Sequence, residues 1–210
     1  MMEKYENSKG INKTITNSNN VIYFIRHGEC LTNIGQIAND QLSDKLTKNG
    51  ENQAVKCGKF LKSILNGDKI SLYTSNMARA IKTGEIIADI LNSNISKSDD
   101  RLNEISHCLR DKKDGILSYI NIFERIDEVI AEISNSSKNT IKIIVTHQGL
   151  LELLICRVVS KYYTGLELPT LHSIESDYEV HSNTGISTFK VNENGKIISL
   201  ISWNQHNHIY

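Results

Sequence analysis

Short runs of β-branched and aromatic residues alternate along this chain with longer segments whose apolar side chains recur at helical spacing. That alternation selects an α/β architecture before any single residue is considered. Val21 to Ile25 is a continuous apolar run, suited to a strand covered on both faces, and Ile141 to Thr146 and the shorter Ile70 to Tyr73 read the same way. Between them, Leu46 to Leu65 places Ala54, Cys57, Leu61, Ile64 and Leu65 on one face, with Thr47 as the N-cap. Met77, Ala80, Ile81, Gly84, Ile87, Ala88 and Leu91 line a second helix, and Ile116, Tyr119, Ile120, Phe123, Ile126, Ile130 and Ile133 a third. Gly149 to Val159 supplies a fourth directly after the Ile141 strand. Ile186 to Val191 and Ile197 to Trp203 flank Asn194-Gly195, whose positive φ angles suit a hairpin turn, so the sheet is expected to be mixed. The polar stretch from Ser160 to Asn183, which holds Pro169, has no clean period and is expected to be a loop.

With 39% hydrophobic residues in 210, the chain can build a sizeable core, and the length suits one domain over 21–210 preceded by a flexible polar tail over 1–20. The 24 Lys and Arg balance the 24 Asp and Glu, so no overall field recruits nucleic acid. The longest apolar stretch, Gly149 to Cys156, is broken by Glu152 and far too short to cross a membrane. Residues 1–20 lack the apolar core of a signal peptide. Cys30, Cys57, Cys108 and Cys156 form no CxxC pair, which argues for a reducing, cytoplasmic setting and against a thiolate metal site.

Three segments put basic or imidazole side chains immediately after an expected strand, where open α/β sheets form their ligand crevice. They are Arg26-His27-Gly28-Glu29, the Ser75 to Ala80 stretch containing Arg79, and Thr146-His147-Gln148-Gly149. A single Arg or His at a strand end is usually a solvated rim residue. Two arginines and two histidines arriving at one sheet edge instead describe an anion site, because guanidinium supplies planar pairs of donors and does not lose its proton. Gly28 and Gly149 would let backbone approach the ligand and offer N–H groups at a helix start.

These motifs, in this order, resemble the histidine phosphatase superfamily, the phosphoglycerate mutase-like proteins. The resemblance runs through Arg26-His27-Gly28-Glu29 with Asn33, then Asp44, Leu46, Thr47, Gly50, Gln53 and Ala54. It continues through Thr74-Ser75 with Arg79, Ala80 and Thr83, through Arg101-Leu102-Asn103-Glu104, and through Val145 to Gly149. It implies a three-layer sandwich with a mostly parallel mixed sheet flanked by helices and a small cap. It also implies a metal-independent phosphomonoesterase that needs no cofactor and acts on a small phosphate ester through a phosphohistidine. His27 would be the nucleophile, Glu104 the acid that protonates the leaving oxygen, and His147 a cationic or hydrogen-bond donor beside the transferred group. Arg26, Arg79, His147, Asn33 and Gln148 would bind the phosphate, with Asn33 equally readable as a turn residue.

Departures from the family pattern fall at Cys30, Gln36 and Gln148, and in the segment Ile105 to Asp111 after Glu104. A thiol beside a cationic pocket has scope for enhanced thiolate character, although a packed, passive Cys30 fits better. The compact spacing between Glu104 and His147 resembles the phosphatase branch more than the mutases. A mutase-type phosphotransferase and a catalytically weak scaffold that binds phosphorylated ligands are the alternatives. Edge strands near the C-terminal hairpin allow a homodimer without requiring one. His206 and His208 resemble a metal pair but lack acidic or thiol partners, and His107, His172 and His181 are expected in solvated loops.

Overall fold

The computed structural model describes residues 20–36, 44–65, 67–105, 115–136, 139–160 and 179–210, without the side chains of 115–120, 156, 157, 159 and 160. Outside it fall the expected N-terminal tail and most of the 160–183 loop. So do the Ser106 to Asp111 segment that departs from the family pattern, His107, His172, Lys112, Lys113 and Cys108.

Strands β1 (Val21–Arg26), β2 (Ile70–Thr74), β3 (Ile95–Ser98), β4 (Ile141–Thr146), β5 (Ile186–Val191) and β6 (Ile197–Gln205) form one sheet in the order β3-β2-β4-β1-β5-β6. The pairs β1–β4, β2–β4 and β2–β3 are parallel, while β5 runs antiparallel to β1 and to β6. The helices are α1 (Lys48–Leu65), α2 (Ala78–Ile90), α3 (Gly115–Ser136) and α4 (Gln148–Ser160).

Period-two alternation within the buried strands assigns the helices to two layers. Val21, Tyr23 and Ile25 of β1, with Ile143 and Val145 of β4, pack with Cys57, Leu61 and Leu65 of α1 and with Ala80, Ile87 and Ala88 of α2. Ile22, Phe24 and Ile144 point the other way, onto Ile126, Val129, Ile130 and Ile133 of α3 and Leu150, Leu151 and Leu154 of α4. The expected three-layer sandwich follows from this division. Thr47 caps α1 as expected, its Oγ1 accepting from Gly50 N at 3.0 Å. No helix among the described residues is long and apolar enough to cross a membrane.

Two expectations differ locally. Strand β3 has no counterpart in the sequence pattern, because it is an edge strand with Ile95 as its one apolar residue and three exposed positions after it. In the β5–β6 turn Gly195 has positive φ and Asn194 does not. Asn192 Oδ1 accepts from Asn194 N and Lys196 N, which closes a longer turn than the two-residue hairpin that Asn-Gly suggests.

Candidate active site

Parallel strands bring their C-terminal ends to one edge, and here three of them deliver adjacent residues. Arg26 is in register with Thr146, and Thr74 with Val145. The ladder extends one residue further, with His27 N donating to Thr146 O and Ser75 N to Val145 O, both at 2.9 Å. His27, Ser75 and His147 therefore meet just past the sheet. Arg79 arrives from the first turn of α2, whose start is fixed by Met77 N donating to Ser75 Oγ at 3.1 Å.

Arg79 joins the two imidazoles. Its Nε donates to His27 Nε2 at 3.1 Å, and its Nη2 pairs with His147 Nδ1 at 3.1 Å, with ring centroids 5.1 Å apart. Guanidinium cannot accept, so both ring nitrogens do, and this sets both tautomers. His27 carries its proton on Nδ1, donated to Gly28 O at 2.8 Å, and keeps an Nε2 lone pair in the site. His147 carries its proton on Nε2, donated to Ser75 Oγ at 2.8 Å; Ser75 Oγ donates onward to Asn103 Oδ1 at 2.7 Å. Burial, with Arg79 and Arg26 adding to it, holds the His27 imidazole well below the usual histidine range. His147 is shifted the same way by burial, His27 and the two arginines. Both rings are neutral in this arrangement, and His147, expected as a cation or a hydrogen-bond donor, here donates to Ser75.

Arg26 is held from its far side. Its Nη1 donates to the carbonyl of His181, and its backbone N and O pair with Gly185 O and Thr184 N. Its Nε is buried with no hydrogen-bond partner. Burial lowers its proton affinity, and Glu104 is the charged neighbour that most opposes that effect, which places the carboxylate within electrostatic reach of the site. Glu104 Oε1 accepts from Ile105 N at 2.8 Å, and Oε2 approaches Gly149 N at 3.4 Å. A Cβ on Gly149 would lie 2.6 Å from Glu104 Oε1. That glycine thus makes room for a carboxylate rather than for a ligand. Gly28 likewise differs from expectation: its N–H is taken by Thr83 Oγ1 at 3.0 Å, and a Cβ there would lie 2.5 Å from Gly50 O.

The remaining candidates are engaged elsewhere. Asn33 Oδ1 accepts from Cys30 N at 3.1 Å and from Asn183 Nδ2 at 3.0 Å, which is turn chemistry. Gln148 donates along α4 to Glu152 Oε1 at 2.7 Å, so its carboxamide is committed to the helix surface. The Cys30 thiol is pushed up to about 12, first by burial and then by Asp44, which overturns any enhanced thiolate character. His181 is fully buried, with Nε2 2.8 Å from Ser187 Oγ and its ring edge-on to Trp203, not a solvated loop residue. Ser75 and Asn103 both fall inside motifs that carry the resemblance, but the sequence pattern gave neither a role of its own.

Residues 22–112 match the model of the histidine phosphatase superfamily (branch 1). Among solved structures the chain is similar to YhfR of Bacillus stearothermophilus, at 21% identity and a TM-score of 0.69, covering 90% of this chain and 99% of that one. A mycobacterial glucosyl-3-phosphoglycerate phosphatase matches at 17% identity and a TM-score of 0.65, covering 89% and 99%. Phosphoserine phosphatase of Entamoeba histolytica matches at 19% identity and a TM-score of 0.65, covering 90% and 99%. The comparison with curated proteins gave no match. Over residues 22–112 the chain thus resembles the histidine phosphatase superfamily in sequence, and along nine-tenths of its length it shares the fold of these solved structures.

Proposed function

We propose that the protein is a metal-independent phosphomonoesterase that hydrolyses a small phosphorylated metabolite of the cytosol through a phosphohistidine at His27. One observation carries the proposal: a single buried guanidinium bridges the lone pairs of two neutral imidazoles, His27 Nε2 and His147 Nδ1. A nucleophilic imidazole must be unprotonated; burial first holds it so, and the guanidinium charge that adds to burial is also the charge that binds a phosphate. The phosphatases among the structural neighbours, whose named substrates include glucosyl-3-phosphoglycerate and phosphoserine, favour transfer to water over transfer to a second hydroxyl.

In this mechanism Arg79 turns its N–H groups from the imidazoles to the phosphoryl oxygens, joined by Arg26, whose Nε has no other partner. Nε2 of His27 attacks phosphorus as the ester P–O bond breaks, and the departing oxygen takes a proton from Glu104. Nδ1–H of His27, hydrogen-bonded to Gly28 O, stabilises the charge that the ring acquires. Water then attacks phosphorus and gives its proton to Glu104, the N–P bond breaks, and inorganic phosphate leaves. His147, neutral in the empty site, donates to or takes charge from the equatorial oxygens as they develop negative charge.

Quenching the enzyme with an aryl phosphate in alkali traps an acid-labile phosphoryl group on His27. Replacing Glu104 with Gln slows esters with poor leaving groups by about 10²–10³-fold while leaving good ones much less affected. A phosphoryl group on another residue defeats the nucleophile assignment. Equal slowing across the leaving-group series removes Glu104 from the acid role.

A further inference from the structure

Arg79 has an acidic neighbour that the chemistry above does not use. Asp44 lies beside the isolated bridge between Cys30 and Leu46, on the path into α1. Its side chain and that of Arg79 are both sealed from solvent, and its Oδ2 stands 3.8 Å from Arg79 Nη1. That separation is long for a hydrogen bond, and neither carboxylate oxygen meets another donor in good geometry. The Cys30 thiol beside it is a weak donor at best. A carboxyl group buried without hydrogen bonds is costly to keep, and the ionic partner it faces is the Arg79 guanidinium.

We propose that Asp44 is a positioning residue that offsets the charge of Arg79 and thereby limits how tightly the site holds a phosphate. With Asp44 on the Nη1 side, the Nε and Nη2 edges of the guanidinium are the ones turned to His27 and His147. A negative charge behind the arginine also weakens the field on an anion in front of it, which favours release of inorganic phosphate after the second step. The assignment rests on the phosphatase reading, because it needs an anion at Arg79.

The test is calorimetric titration of the full chain with inorganic phosphate, alongside steady-state hydrolysis of an aryl phosphate. Asp44→Asn removes the charge at nearly constant shape. It is expected to tighten phosphate binding about tenfold and to lower kcat and KM together, as product release slows. Cys30→Ser, which gives Asp44 a hydroxyl donor in place of the thiol, moves phosphate affinity in the same direction by a smaller factor. It keeps the test available if the Asn variant fails to fold. A purely structural role predicts lower thermal stability with unchanged or weaker phosphate affinity, and that result overturns the assignment. Unchanged affinity in Asp44→Asn alone also overturns the assignment, and it leaves the phosphatase reading intact. Absence of phosphate binding by the unaltered chain, or binding unaffected by Arg79→Ala, removes that reading and the assignment with it.

Discussion

Two pairs of histidines surround the Arg26–His27 segment, and they differ in what their ring nitrogens face. His27 and His147 both present lone pairs to Arg79. His181 and His208 instead bond to the scaffold: His181 pairs with the Ser187 hydroxyl, and His208 Nε2 donates to Thr184 O at 3.1 Å while its ring stacks on Phe60. All four titrate below the usual histidine range, chiefly through burial, with His181 near about 3 and His208 near about 4. A depressed pKa therefore does not separate the pairs. What separates them is whether the partner is an ion that an incoming anion can take over, as it can take Arg79, or a hydroxyl or carbonyl with nowhere else to go.

The contrast breaks most readily at its strongest point. His27→Ala is expected to lower kcat for an aryl phosphate by at least about a thousandfold, because the proposed covalent route has no nucleophile without that ring. His181→Phe keeps the ring against Trp203 and keeps the backbone carbonyl that holds Arg26, so its effect falls on stability first. Comparable losses of kcat in the two variants, measured on folded protein, would mean that the division by partner is wrong.

His27 was legible in the sequence because it sits one residue past a strand whose two buried faces leave an unmistakable apolar run. The same holds for His147 after β4, and the parallel pairing of β1, β4 and β2 turns three separate sequence positions into neighbours. His181 was not legible. It falls in a polar stretch without period, and the groups that bury it, Ser187, Trp203 and the Asn204 side chain bonded to Ser182 N, belong to a hairpin that folds back over it. Asp44 stood in a motif of the resemblance without a role, because it lies outside any helix or strand and reaches Arg79 through the fold around the Cys30–Leu46 bridge. Edge strand β3 escaped for the opposite reason: with one face open to solvent it has no apolar pattern to read.

A smaller effect tests how His147 is held. Ser75→Ala leaves the His147 Nε2–H without its acceptor and also removes the acceptor of Met77 N at the start of α2, while Asn103 Oδ1 still receives Asn76 N at 3.2 Å. The expected outcome is a fall in kcat of about tenfold with KM nearly unchanged, because the ring's orientation matters most at the transition state. A rise in KM alone would place Ser75 in ground-state binding instead.

The smallest effect concerns the scaffold pair and its response to pH. His208→Phe preserves stacking on Phe60 but removes the hydrogen bond to Thr184 O, whose own N–H supports Arg26 O and His27 O. At pH 7 the variant should be less stable by about 1 kcal/mol, the usual net worth of such a bond, with activity within about twofold. Below pH 6.5 the sign changes. The unfolded chain takes up a proton on His208 there, whereas the folded chain, with a pKa near about 4 set by burial and by the nearby His206 and Lys56, does not. The native protein loses stability from this group as pH falls from 6.5 toward 4, and the Phe variant, which has nothing to titrate, is spared that loss. Thermal melts of the two should therefore converge and cross on acidification. Melts that stay parallel from pH 7 to pH 5 would show that His208 is not held neutral by the fold.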